Sequence, residues 1–170
     1  MPDQNARLAW EAEIARSMKV KSPEDELAGF IAKYAPEIGA LAREALEKMR
    51  ARLPGAVELV YDNYNALAIG FGPTERASDA IFSVTLFPRW VSLFFFHAAN
   101  LPNPHKVLKG SGRVARHVVL KDAKDLDKPT VRALMKHALE HAAKPLDGAS
   151  PRRIIIKSIS ARRRPRRPPS

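Results

Sequence analysis

"VELVYDNYNALAIGFG" spans residues 57–72, and the spacing of apolar residues changes there. Upstream, they recur every three or four positions. Here Leu67, Ile69 and Phe71 alternate with Ala68, Gly70 and Gly72, which is the pattern of a strand. "DNYN" between the two runs is built from turn formers. The small-residue face of the second run leaves room for a close neighbour, either backbone or ligand.

Working outward, "AIFSVTLF", "WVSLFFFHA" and "RVARHVVL" are further short runs rich in β-branched and aromatic residues. "GPTERASD" fits an exposed hairpin loop, and Pro88–Arg89 divides the third run from the fourth. Five strands so closely spaced predict an antiparallel meander. "RRIIIKSIS" is a sixth strand candidate.

Before the strands the spacing is helical. Residues 4–20 carry Leu8, Ala12, Ile14 and Ala15 among charges. Ser22 then offers an N-cap, Pro23 a first helical position, and Glu24 and Asp25 suit the positive end of the helix dipole. Pro36 restarts the pattern, which runs through Ile38, Leu41, Leu46, Met49 and Leu53 to Pro54–Gly55. After the meander, "DLDKPTVRALMKHALEHAAK" predicts another helix with Asp127 as its cap. The fold expected is a single α+β domain over residues 22–160. Its largely antiparallel sheet of five to six strands packs against N-terminal and C-terminal helices. Residues 1–21 form a helical extension.

The 170-residue chain is 45% hydrophobic and has no cysteine. A sizeable core is expected; disulfides, thiolate metal sites and a cysteine nucleophile are excluded. The charged N-terminus does not read as a secretory signal, and the longest apolar run is too short for a membrane span, so a cytoplasmic protein is expected. Net charge is +11, from 29 Lys+Arg against 18 Asp+Glu. Eight of those cations lie in residues 151–170, where there is no acid, leaving 21 cations against 18 acids elsewhere. Residues 161–170, with five arginines among prolines, read as an extended, disordered basic tail. Through Arg162, Arg163, Arg164, Arg166 and Arg167 such a tail attracts polyanions by counterion release. It contains no aromatic to stack a base, so nucleic-acid binding there is expected to be non-specific.

Motifs for chemistry are sparse. "KVLKGSGRVARHVVLK" (106–121) has glycines, serine and cations, but Lys109 precedes Gly110 and a strand follows, which is the wrong order for a phosphate loop. Gly110 and Gly112 are expected to supply positive φ in a turn. Lys106, Lys109, Arg113 and Arg116 remain as an anion-contact rim. Of His97, His105, His117, His137 and His141, only His137 and His141 have ligand spacing, and they read as a surface pair on a helix flank. Ser111, His117 and one of Asp122, Asp125 or Asp127 make an unconvincing triad, because triads are recognised by geometry. Tyr61, Asn63, Tyr64 and Asn65 at a strand break, with Trp90, are a candidate ligand groove across the sheet. The alternative, that Phe94–Phe96 simply mark a central strand buried on both faces, is favoured.

Three stretches, "VELVYDNYNALAIGFG", "AIFSVTLFPRWVSLFFFHAANLPNPHKVLKGSGRVARHVVLK" and "RRIIIKSISARRRPRRP", resemble the YdhG-like family of small bacterial proteins, a domain of unknown function. The resemblance covers about residues 22–160. It implies an α/β domain with an antiparallel sheet and flanking helices, and it implies no reaction. Some relatives are described as frataxin-like iron chaperones, a role that needs a patch of carboxylates. The acids here are interleaved with lysines. The function expected is a non-enzymatic binding or adaptor module without a cofactor, its ligand and partners unknown. The alternatives are iron handling and polyanion association through the tail.

Overall fold

Ser22 opens the first helix of the core: its hydroxyl accepts a hydrogen bond from the Asp25 amide at 3.1 Å, and Pro23 takes the first helical position. The computed structural model describes residues 3–17, 21–103, 106–113 and 115–169. Within them α1 covers Gln4–Ser17, α2 Pro23–Ala32 and α3 Pro36–Arg52. The expected helix over 4–20 is α1 as far as Ser17; positions 18–20 lie outside the described residues. α1 stands apart. Leu8 and Trp10 of α1 are exposed, and none of its described side chains belongs to the buried core. No helix among the described residues is long and apolar enough to cross a membrane.

Six strands follow: β1 (Val57–Asp62), β2 (Leu67–Gly72), β3 (Phe82–Leu86), β4 (Val91–Phe96), β5 (Ala115–Leu120) and β6 (Arg153–Ile159), with α4 (Pro129–Glu140) between the last two. The sheet order is β5-β4-β3-β2-β1-β6. The meander of β1 to β5 is antiparallel throughout. β6 pairs parallel to β1, because the long connection through α4 returns the chain across the sheet.

The alternation in the opening stretch decides which face is the core. Val60, Ile69, Val84, Leu93 and Val118 lie in one row of the register. All are buried in one cluster with Leu27 and Ile31 of α2, Ala42, Leu46 and Met49 of α3, and Leu134 and Ala138 of α4. The small face of β2 does meet a close neighbour, and it is backbone. A Cβ on Gly72 would sit 2.9 Å from the Ala80 Cα, because the turn at Ala77–Asp79 folds over that face. The same loop reaches β6: Lys157 donates to the Glu75 carbonyl at 3.1 Å and Arg153 pairs with the Glu75 carboxylate at 2.8 Å.

Two local expectations change. Asp127 does not cap α4, whose N-cap position is Lys128 without a side-chain cap. Asp127 instead receives Lys48 at 2.7 Å, Arg132 at 3.4 Å and Arg52, since three cations on α3 and α4 outcompete one backbone amide. Asp122 and Asp125 form a reciprocal cap on the short turn before it, accepting from the amides of Lys124, Lys121 and Asp122 at 2.8–3.2 Å. In the glycine turn only Gly110 is left-handed, at φ 97°. Gly112 serves space, a Cβ there lying 3.0 Å from the Ala115 carbonyl oxygen.

Candidate functional site

β1 and β6 run in the same direction, so both deliver their C-terminal ends to one edge of the sheet. There β1 ends at Asp62 and enters a turn closed by the Asn63 amide on the Ala66 carbonyl, 3.0 Å. The chain leaving β6 follows that turn. The Ser160 amide donates to the Asp62 carbonyl and the Arg164 amide to the Tyr64 carbonyl, each at 2.8 Å.

Strand parity puts Glu58, Val60 and Asp62 on the core-facing side, paired with Phe71, Ile69 and Leu67. Two carboxylates on that face require cationic partners. Glu58 is buried and is held by Arg50 of α3 at 2.9 Å and by Arg152 at 3.4 Å. Asp62, also buried, is held by Arg163 and by Arg166, the latter at 2.8 Å. Arg166 is itself only 6% exposed. Its guanidinium also donates to the carbonyls of Asn63 and Tyr64 and lies 5.6 Å from the Tyr34 ring centre. Tyr34 continues the network inward. Its hydroxyl donates to the Leu86 carbonyl and accepts from the Leu67 amide, both at 3.1 Å. Burial pushes the Tyr34 phenol up to about 12 against the pull of Arg166.

Residues 161–169 therefore do not form the disordered tail that composition suggested. They are docked, and the reason is a buried carboxylate on β1 that lies about a hundred positions away in sequence. The same docking supplies the aromatic missing from the tail. The Arg164 guanidinium lies 5.5 Å from the ring centre of Tyr64, which remains 48% exposed. Arg167 donates to the Lys33 carbonyl at 3.2 Å. An open pocket of about 360 Å³ is lined by Lys33, Pro165 and the four arginines 163, 164, 166 and 167. Among the described residues Lys33, Arg162, Arg164 and Arg167 have no carboxylate partner.

The other sequence candidates fall elsewhere. Asn63 and Asn65 are exposed in the Tyr64 turn, and Tyr61 is half-buried with its hydroxyl unpartnered. Trp90 lies in the β3–β4 turn and stacks on Phe87 at 4.7 Å, so Tyr64 is brought to Arg164 rather than to Trp90. Lys106, Lys109, Arg113 and Arg116 lie at the opposite end of the sheet, before and within the start of β5. Lys109 there pairs by backbone with His117, and Arg116 donates to the Gly112 carbonyl at 3.2 Å. His117 packs 5.0 Å from Phe94, whose strand is buried at Phe95 and only partly at Phe94 and Phe96. His137 and His141 stack at 4.0 Å; His105 lies outside the described residues. No three His, Asp or Glu side chains among the described residues are gathered as a metal-ion site.

Comparisons of the chain with protein-family models, with curated proteins and with solved structures return no match.

Proposed function

We propose that this chain is a non-enzymatic, YdhG-like binding module for the phosphate backbone of single-stranded nucleic acid. The observation that supports it is the anchored arginine segment. Arg166 is fixed by Asp62 and two carbonyls; among the described residues Arg162, Arg164, Arg167 and Lys33 have no carboxylate partner, and the Arg164 guanidinium lies over the exposed Tyr64 ring. Fixed cations attract phosphates, and a cation-flanked aromatic offers a base a stacking surface regardless of its identity. An ordered segment also loses less conformational entropy on binding than a loose tail would.

The iron-handling reading has less support. The buried acids Glu58 and Asp62 are engaged by arginines, and Asp127 by Lys48, Arg52 and Arg132.

Fluorescence anisotropy with a labelled oligothymidylate, and with base-free polyphosphate as competitor, tests the proposal. Tyr64→Ala should weaken the oligonucleotide by about tenfold, corresponding to one lost stack, and leave polyphosphate unchanged. Equal loss for both ligands, or none for either, would remove the role of Tyr64. Absence of binding at low salt would remove the proposal altogether.

A further inference from the structure

Among the described residues, three histidines gather at the other end of the sheet from the arginine segment. A pocket of about 400 Å³ opens between the β4 terminus and the end of α4. Ile81, Phe96, Leu101, Ala138 and Ala142 give it an apolar floor, and His97, His137 and His141 stand around it. Only the last two were recognisable as a pair in sequence; His97 is contributed from across the fold. His97 is one of two non-glycine residues among the described ones with positive φ, at 54°, a conformation uncommon in residues with side chains.

Two of the three rings have defined tautomers. His97 Nε2 meets the Ser78 carbonyl oxygen at 3.2 Å, and His141 Nδ1 meets the His137 carbonyl oxygen at 2.9 Å. A carbonyl only accepts, so each of those nitrogens carries the hydrogen. The neutral rings are left with bare, accepting nitrogens, Nδ1 of His97 and Nε2 of His141, without a protein donor among the described residues. The remaining charges at the pocket are matched to each other. Asp79 accepts from the Thr74 hydroxyl at 2.6 Å and from Lys144 at 3.1 Å, and these two contacts hold its carboxyl below the usual range.

From this we infer that the pocket binds a small aromatic molecule carrying hydroxyl groups, a phenol or dihydroxybenzene. The apolar floor takes the ring, and the bare nitrogens of His97 and His141 accept its O–H hydrogens. A carboxylate would meet lone pairs, and a plain hydrocarbon would cover both acceptors without offering either a donor.

The test is a titration of the full chain with resorcinol (two hydroxyls), anisole (same ring, no donor) and zinc ion, read from the imidazole nitrogen resonances. Resorcinol should shift the bare nitrogens of His97 and His141 saturably, and anisole should bind about tenfold more weakly. His141→Phe keeps a ring at an exposed position and His97→Asn keeps a residue tolerant of positive φ. Each should weaken resorcinol by about tenfold with the melting temperature unchanged. Tyr64→Ala should leave resorcinol binding intact, so this site and the arginine segment stand or fall separately. Equal binding of resorcinol and anisole, unchanged affinity in both variants, or saturation by zinc without any response to resorcinol would each overturn the inference.

Discussion

Arg166 and Asp62 form a buried ion pair at 2.8 Å, their side chains 5% and 2% exposed, and the pair fastens residues 161–169 to the end of β1. Removing one member of such a pair leaves the other charged and unmatched in the interior. Arg166→Ala is therefore expected to lower the unfolding free energy by about 3–5 kcal/mol, measured by urea denaturation. Deleting residues 161–170 should have a comparable effect. A truncated protein as stable as the full chain would show that the segment is not part of the folded unit.

This pair also marks the boundary of what could be read from sequence. The meander was legible because Leu67, Ile69 and Phe71 alternate with small residues, and Ser22-Pro23 announces α2 directly. The docking of the tail was hidden because its partner is non-local. A usable signal did exist. Alternation puts Glu58 and Asp62 on the same side of β1 as Val60, so two core-facing acids needed cations, and the acid-free C-terminus had the surplus. Composition alone read those arginines as solvated. Likewise His97 shares no spacing with His137 and His141, and only the packing of α4 against the end of β4 brings them around one cavity.

Tyr34 gives the fold an alkaline limit. Its phenol is held at about 12 chiefly by burial, above its ordinary value of 10.0. Between those two values the unfolded chain releases the proton and the folded chain retains it. Stability from this group is complete below about pH 10 and is lost as pH rises toward about 12. Tyr34→Phe should remove that part of the slope in denaturation experiments from pH 9 upward. It should also destabilise the protein at neutral pH by about 1–3 kcal/mol, because the buried Leu67 amide loses its acceptor. An identical alkaline slope in the variant would contradict the assignment.

His117 acts on the acid side. Burial, and then the charge of Lys109, hold its imidazole below the ordinary 6.5. As pH falls through about 6.5 the unfolded chain takes up the proton first, so stability present at neutral pH declines toward the lower folded value. His117→Phe keeps a ring against Phe94 and should flatten this decline between pH 7.5 and 5. The comparison is urea midpoints of the two proteins across that range.

Two glycines of β2 should respond differently to alanine. At Gly72 the new Cβ meets backbone, the Ala80 Cα at 2.9 Å and the Asp79 carbonyl oxygen at 3.0 Å, so the turn over the sheet must move. A loss of about 1–3 kcal/mol is expected. At Gly70 the nearest atoms are at 3.7–3.8 Å, ordinary contact, and Gly70→Ala should change stability by less than about 0.5 kcal/mol. Thermal melts of the two variants separate a backbone packed on Gly72 from a general intolerance of side chains on that face.

The anchored segment also makes a quantitative statement about salt. Among the described residues, Lys33 and the segment's Arg162, Arg164 and Arg167 have no carboxylate partner. If each replaces one counterion on single-stranded DNA, the slope of log K against log salt should be about −3. Replacing Arg162, Arg164 and Arg167 together by glutamine should make the slope shallower by about 2 while the fold remains intact, because none of the three holds Asp62. Arg166→Ala has the opposite profile. It removes no free cation, yet it releases the segment that presents the others, so affinity should fall with a slope close to that of the unmodified chain. A slope near zero in the unmodified chain, or no change in the triple variant, would show that these arginines do not contact phosphate.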